Sequence, residues 1–238
     1  LEGFFTYLLL AACKKTIYKK ESKILDDMVY TIYKNRTDAG KSLGLALKKY
    51  ASPHTIILTL PRGGVVVACE VAHELHAPLS LVIAQKVGHP VSPEYAIAAI
   101  NKDGLCIENE LETHGISQEW FEKEKKIKQK EAQRRYKTYL SDNNRVCLTN
   151  KDVIIIDDGI ATGLTMQCAI EEVRREKPKT IIVAAPVISP HTAKKIRGLV
   201  DKVIALQEPI SFSAVGQYYE DFPQVSDDEV INILRTFK

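Results

Sequence analysis

Val153-Ile-Ile-Ile-Asp-Asp-Gly-Ile-Ala-Thr-Gly-Leu-Thr-Met166 carries three signals in a fixed order. The apolar run predicts a buried central strand, because strands covered on both faces read as continuous hydrophobic stretches. Asp157 and Asp158 stand at its carboxyl end, where open α/β sheets place their ligands. Residues 159–165 then supply two glycines among small and hydroxylated neighbours. Such a turn aims successive backbone N–H groups into one concavity, and the helix that follows adds its positive end, so a phosphate is the natural occupant. Thr162 and Thr165 can donate hydroxyl hydrogen bonds to the same oxygens. Adjacent ionised carboxylates repel each other. A vicinal diol, such as the 2′- and 3′-hydroxyls of a ribose, would satisfy both, helped by a nearby divalent cation. Neither GxxxxGK[ST] nor GxGxxG occurs in this segment, which excludes the nucleotide-triphosphate P-loop and the dinucleotide fingerprint there.

The surrounding pattern agrees with an α/β fold. Short apolar runs at 55–60, 79–84, 154–156, 180–184 and 202–206 predict strands, and they alternate with longer periodic segments. Thr37 or Asp38 is the expected cap of a helix running to Leu47, and Gly64 leads into a helix over 65–75. Residues 118–140 predict a long helix capped by Ser117, with a thin apolar stripe of Trp120, Ile127, Tyr136, Tyr139 and Leu140 and a basic surface. That pattern suits a solvated peripheral helix with i,i+4 ion pairs better than a polyanion-binding face.

Composition narrows the class. Apolar residues are 45% and charged residues 26% of 238, the balance of a soluble globular protein. A net charge of +3 is too small to argue for nucleic acid and is compatible with an anionic small molecule met by local cations. The five cysteines (Cys13, Cys69, Cys106, Cys147, Cys168) form no CxxC pair, which favours a reducing cytoplasm over a disulfide framework. Six histidines lack metal-ligand spacing. Phe4 to Ala12 is apolar, and Leu10-Ala-Ala-Cys13 resembles a lipoprotein cleavage box, yet no basic segment precedes it and it is too short to span a bilayer. Residues 1–27 are therefore expected to be an extension outside the fold, with 28–238 as one domain and Met28 as a natural start; an export or anchoring signal is the lesser alternative.

The string at 153–166 resembles the motif that binds 5-phosphoribosyl 1-diphosphate (PRPP) in the type I phosphoribosyltransferases. The resemblance implies that Asp157 and Asp158 take the ribose, and that Ala161, Thr162, Gly163, Leu164 and Thr165 take the 5′-phosphate. Leu60-Pro-Arg-Gly-Gly64 is similar to that family's pyrophosphate loop. The chemistry agrees: Gly63 and Gly64 let backbone approach an anion closely, and Arg62 offers a bidentate contact.

Further stretches are similar to a subgroup of uncharacterised phosphoribosyltransferases. They are Asn35-Arg-Thr-Asp-Ala-Gly40, Lys86-Val-Gly-His-Pro90, Pro93-Glu-Tyr-Ala96, Phe212-Ser-Ala-Val-Gly216 and Tyr219-Glu-Asp-Phe-Pro-Gln-Val-Ser-Asp-Asp-Glu229, so the likeness covers essentially everything after Met28. Members usually carry Arg-Lys where this chain has Gln85-Lys86, which removes one cation expected near the pyrophosphate.

By this resemblance the fold is a mostly parallel twisted sheet flanked by helices, with a small hood and a long peripheral helix. Residues 86–99 correspond to a mobile loop that closes over the site, where Lys86 neutralises pyrophosphate and Glu94 reaches a metal or a base. The C-terminal aromatics Phe212, Tyr218, Tyr219 and Phe222 belong to the hood, with Phe212 and Tyr219 the candidates to stack on an acceptor. The implied reaction moves 5-phosphoribosyl from PRPP to a nitrogen acceptor, a nucleobase being the expected one, and releases pyrophosphate. Mg²⁺ would arrive with PRPP and be reached from Asp157 or Asp158 directly or through water. A regulator that binds PRPP or a nucleotide without turnover is the alternative, and hydrolysis by water is a third. The partners expected are PRPP and a small acceptor, with no nucleic acid and no membrane, and a homodimer is left open.

Overall fold

The computed structural model describes residues 30–140 and 146–237; the expected extension at 1–27 lies outside the described residues. Its helices are α1 (Arg36–Leu47), α2 (Gly63–Leu75), α3 (Glu110–Thr113), α4 (Gln118–Tyr139), α5 (Leu164–Arg175), α6 (Pro190–Arg197) and α7 (Asp227–Arg235). Its strands are β1 (Thr55–Thr59), β2 (Leu79–Leu81), β3 (Ala84–Gly88), β4 (Ala96–Asn101), β5 (Cys106–Glu108), β6 (Asp152–Ile156), β7 (Thr180–Val187) and β8 (Lys202–Gln207). β2-β1-β6-β7-β8 form an all-parallel sheet, and β3-β4-β5 form a second, antiparallel one. This is the expected α/β architecture.

Alternation along each strand divides the core between two faces. Ile57, Ile154, Ile156 and Ile182 pack with Leu43, Val67, Val71, Val230 and Leu234 of α1, α2 and α7. Ile56, Leu58, Val153, Ile155 and Val183 pack on the other side with Met166, Ile170 and Ala193 of α5 and α6. Both faces are thus covered, which is why β1 and β6 contain no exposed position.

α1 and α2 run side by side in the same direction. A Cβ built on Gly40 would lie 2.8 Å from the Val67 carbonyl oxygen, and one on Gly44 would lie 3.0 Å from Glu74 Cβ. The same offset sets Arg36, at the start of α1, beside Gly63, at the start of α2. Close packing thereby carries an arginine to the carboxyl end of the sheet.

Four local expectations are corrected. Asn35, not Thr37 or Asp38, caps α1, its side chain accepting from Asp38 N–H. The expected strand at 79–84 divides: Val82 and Ile83 are both buried because the chain there leaves the parallel sheet and enters the antiparallel one. Residues 86–99 are not a loop throughout. β3 pairs with β4 across a connection at 89–95, with an irregularity at Val87/Gly88. On α4 the buried residues are Phe121, Ala132 and Tyr139, while Ile127 is exposed. Ser117 does cap α4, and ion pairs such as Lys128–Glu124 and Arg135–Glu131 run along it, as a solvated helix requires. Among the described residues no helix is long and apolar enough to cross a membrane.

Candidate functional site

β6 ends at Ile156 in the middle of the parallel sheet, and Asp157 and Asp158 follow directly. β1 lies alongside, with Thr59 opposite Ile156, so the loop after β1 leaves the same edge. That loop holds Arg62 and runs into Gly63 and Gly64 at the start of α2, and the structure presses this turn onto the acid pair. A Cβ on Gly63 would lie 2.0 Å from Asp158 Oδ2, and one on Gly64 would lie 2.9 Å from Asp157 Oδ1. Two stretches nearly a hundred residues apart in the chain therefore meet in van der Waals contact, and only glycine fits on the 63–64 side.

The acid pair is unequal. Asp158 accepts from Arg36 Nε at 2.7 Å, an ion pair whose side chains are 9% and 14% exposed. Asp157 Oδ1 accepts the Asp158 backbone N–H at 2.9 Å. Burial first, and next the charge of Asp158, hold the Asp157 carboxyl well above the usual carboxylate range. Burial also raises Asp158, but the Arg36 guanidinium opposes it. Burial thus disfavours charge on both carboxyls, and the Arg36 guanidinium favours it on Asp158. Carboxylate oxygens of this kind suit a hydroxyl donor or a hard divalent cation. Among the described residues no group of three or more His, Cys, Asp or Glu side chains is arranged to hold a metal.

The turn after the acids is held by glycine and by backbone contacts. Gly163 has φ +74° and caps α5 without a side chain, and a Cβ there would lie 2.4 Å from Thr192 Cγ2. The Ala161 carbonyl is tied back by Ser189 Oγ at 3.0 Å and Thr192 Oγ1 at 2.5 Å. Ala161 and Thr162 are exposed and Thr165 is half-buried. Leu164 is different: its side chain is buried in the core, leaving only its backbone N–H for a ligand.

Arg62 and Lys86 both have partners on the protein. Arg62 Nη1 lies 3.6 Å from Asp227 Oδ1 at the start of α7. Asp227 also accepts from the Tyr139 hydroxyl at 2.6 Å and from Arg134. Lys86 stands on β3 and pairs with Glu94 across the hairpin at 2.6 Å. Since Leu81 of β2 lies opposite Thr59, the hairpin springs from the ligand end of the sheet. Gln85 is half-buried, and its amide donates to the Ala84 carbonyl.

The hood packs over the acids from the C-terminal side. Val215 Cγ1 would meet a Cβ on Gly159 at 2.3 Å. The Tyr219 hydroxyl donates to the Asp158 carbonyl at 2.5 Å, and its ring contacts Tyr33 and stacks on Phe222. Tyr219 is 6% exposed, so its ring faces go to these neighbours and not to a free acceptor. Phe212 is half-buried beside Tyr218, with ring centroids 5.6 Å apart. Arg36 also stands at the acid pair, and no local sequence signal marks it. It lies in Asn35-Arg-Thr-Asp-Ala-Gly40, between the Asn35 cap and Asp38, whose backbone N–H donates to that cap.

Comparisons with known proteins show the family. The family model for the phosphoribosyl transferase domain matches residues 29–223. A Mycobacterium tuberculosis protein named "Putative phosphoribosyl transferase" is 36% identical over 208 residues, which are 85% of this chain and 46% of that protein. The chain thus spans about half the length of the curated relatives it matches. The crystal structure of TT1426 from Thermus thermophilus is 35% identical, covers 87% of this chain and 99% of its own, and superposes with a TM-score of 0.72.

Proposed function

The chain belongs to the phosphoribosyltransferase family, and from that premise we propose that it transfers 5-phosphoribosyl from PRPP to a nitrogen acceptor, a nucleobase by preference, with release of pyrophosphate. One observation supports this most: Gly63 and Gly64 pack against Asp158 and Asp157. An anion loop and a diol-binding pair then share one substrate that carries a phosphate at each end of a ribose.

In this reading Asp157 and Asp158 hold the 2′- and 3′-hydroxyls. The backbone N–H groups of 161–165, with the Thr162 and Thr165 hydroxyls, hold the 5′-phosphate. Cleavage at the anomeric carbon leaves positive charge on the ribose and negative charge on pyrophosphate, so the task is positional and electrostatic. Arg62, the N–H groups at Gly63 and Gly64, and Lys86 stabilise the leaving group. Asp157 and Asp158 would hold, directly or through water, the Mg²⁺ that arrives with PRPP, which would supply positive charge to the leaving pyrophosphate. Arg62 and Lys86 exchange their carboxylate partners Asp227 and Glu94 for pyrophosphate oxygens when substrate arrives. Phe212 is the remaining hood candidate for the acceptor. The four cysteines among the described residues are free, which fits work in a reducing cytoplasm.

A second reading, a PRPP-binding regulator, is favoured by Gln85, whose amide bonds to its own neighbour where a cation is usual. Pyrophosphate release from Mg-PRPP across a panel of purine and pyrimidine bases separates the two. Base-dependent release supports the transferase. Tight PRPP binding without release on any base supports the regulator, and ribose 5-phosphate formed without base indicates hydrolysis.

A further inference from the structure

Three parts of the candidate site meet on one buried side chain. Arg36 Nε donates to Asp158 Oδ2 at 2.7 Å. Its Nη1 donates to the Pro223 carbonyl at 2.7 Å. The guanidinium carbon lies 3.6 Å from the centroid of the Phe222 ring, which itself stacks on Tyr219. The same Nε would be 2.9 Å from a Cβ on Gly63. One planar group thus touches the acid pair, the glycine loop after β1 and the C-terminal hood. It does so from α1, which contributes nothing else to the site.

A buried arginine with a carboxylate, a carbonyl and an aromatic face is held in a single orientation. Movement of any one partner changes the fit of the others. The hood is the part that must admit an acceptor, and the acid pair is the part that must hold ribose. We propose that Arg36 is a positioning residue that couples the hood to Asp158, so that the arrangement of Phe222 and Pro223 sets how the acid pair is presented to PRPP. This rests on the phosphoribosyl reading of the site, and Arg36 itself touches no substrate in it. The coupling also gives α1 a purpose: its glycine-dependent contact with α2 delivers the arginine to the junction.

The test uses the full chain and the variants Arg36→Gln, Arg36→Lys, Phe222→Leu and the double variant Arg36→Gln with Phe222→Leu. Mg-PRPP affinity is measured by calorimetry. Arg36→Gln is expected to weaken binding by about 10- to 100-fold, the usual cost of removing a partner that orients a binding group. Arg36→Lys should recover part of that loss, because it restores the charge without the planar fork. Phe222→Leu should also weaken binding although Phe222 lies outside the proposed PRPP contacts. The double variant should bind no worse than Arg36→Gln alone, the signature of two groups acting through one path. Wild-type affinity in folded Arg36→Gln, or additive losses in the double variant, would overturn the proposal. If Arg36→Gln does not fold, Arg36→Lys and Phe222→Leu decide it, both being required to lower affinity.

A ligand-free arm separates this idea from the functional reading. In Arg36→Lys, amide hydrogen exchange should rise together at Val65 and at 219–221, whose N–H groups are hydrogen-bonded, while β6 and β7 stay protected. If wild type fails to bind Mg-PRPP, the functional reading falls, and this joint rise still supports the coupling. Exchange that rises in only one of the two segments overturns it.

Discussion

Gly63→Ala probes the contact on which the site depends. The added Cβ would lie 2.0 Å from Asp158 Oδ2 and 2.9 Å from Arg36 Nε. Ordinary contact begins near 3.4 Å, so the carboxylate must give by about 1.4 Å. A shift of that size cannot be absorbed while Arg36 holds the same oxygen at 2.7 Å. Overpacking of this kind costs about 1–3 kcal/mol, against a gain of up to ~1 kcal/mol from replacing glycine in a helix. With the full gain the net loss is about 0–2 kcal/mol, which for a domain of this size lowers Tm by up to about 8 °C. Misplacing a binding group by ~1 Å weakens its function by about 100-fold, so Mg-PRPP affinity should fall by at least ~10-fold. Gly198→Ala is the control, since its nearest neighbour would be 3.4 Å away and its φ is −78°. It should stay within about 0.5 kcal/mol of wild type. Thermal denaturation and calorimetric titration read both variants side by side. If Gly63→Ala matches Gly198→Ala in Tm and in affinity, the loop and the acids are not in contact and the reasoning fails.

Other expectations follow from the same contacts. The fold raises the Asp157 pKa above its ordinary value of 3.8, so the stability that its proton contributes is fully present below that value and is lost as pH rises through the folded pKa. Asp157→Asn should therefore flatten the fall of Tm as pH rises from acid while removing PRPP binding, and a wild-type slope in the variant would refute the raised pKa of Asp157. Glu94→Gln releases Lys86 from its 2.6 Å partner and should tighten binding of inorganic pyrophosphate by about 2- to 5-fold, the scale of an exposed ion pair. Unchanged pyrophosphate inhibition in that variant would remove Lys86 from the leaving-group site. Ser226→Ala breaks the capping box of α7, in which Ser226 and Glu229 satisfy each other's backbone N–H groups; chemical denaturation should register a loss of about 1 kcal/mol.

How much was legible beforehand differs between elements, for physical reasons. The parallel strands are readable because burial on both faces leaves uninterrupted apolar runs, and β6 followed by its two acids points to the fold and to the candidate site. The antiparallel sheet is not, because Val82 and Ile83 stay buried through the change of sheet and so join two strands into one apolar run. Thr37 and Asp38 looked like caps, but the position is decided by backbone, and Asn35 is the extended residue that accepts from Asp38 N–H. Arg36 stayed hidden because nothing local distinguishes a buried arginine from a surface one; its partners lie 122 and 187 residues away in sequence. The hood aromatics were found as a set, but sequence does not say which ring faces outward. Tyr219 spends its hydroxyl on Asp158 and its ring on Phe222.

The central claim is that Asp157 and Asp158 hold the ribose of PRPP. Titrating Mg-PRPP into wild type and into Asp157→Asn with Asp158→Asn by calorimetry tests it most directly, with far-UV circular dichroism as the check on folding. The account predicts saturable binding to wild type and none to the folded double variant. Equal affinity in the two proteins would contradict it.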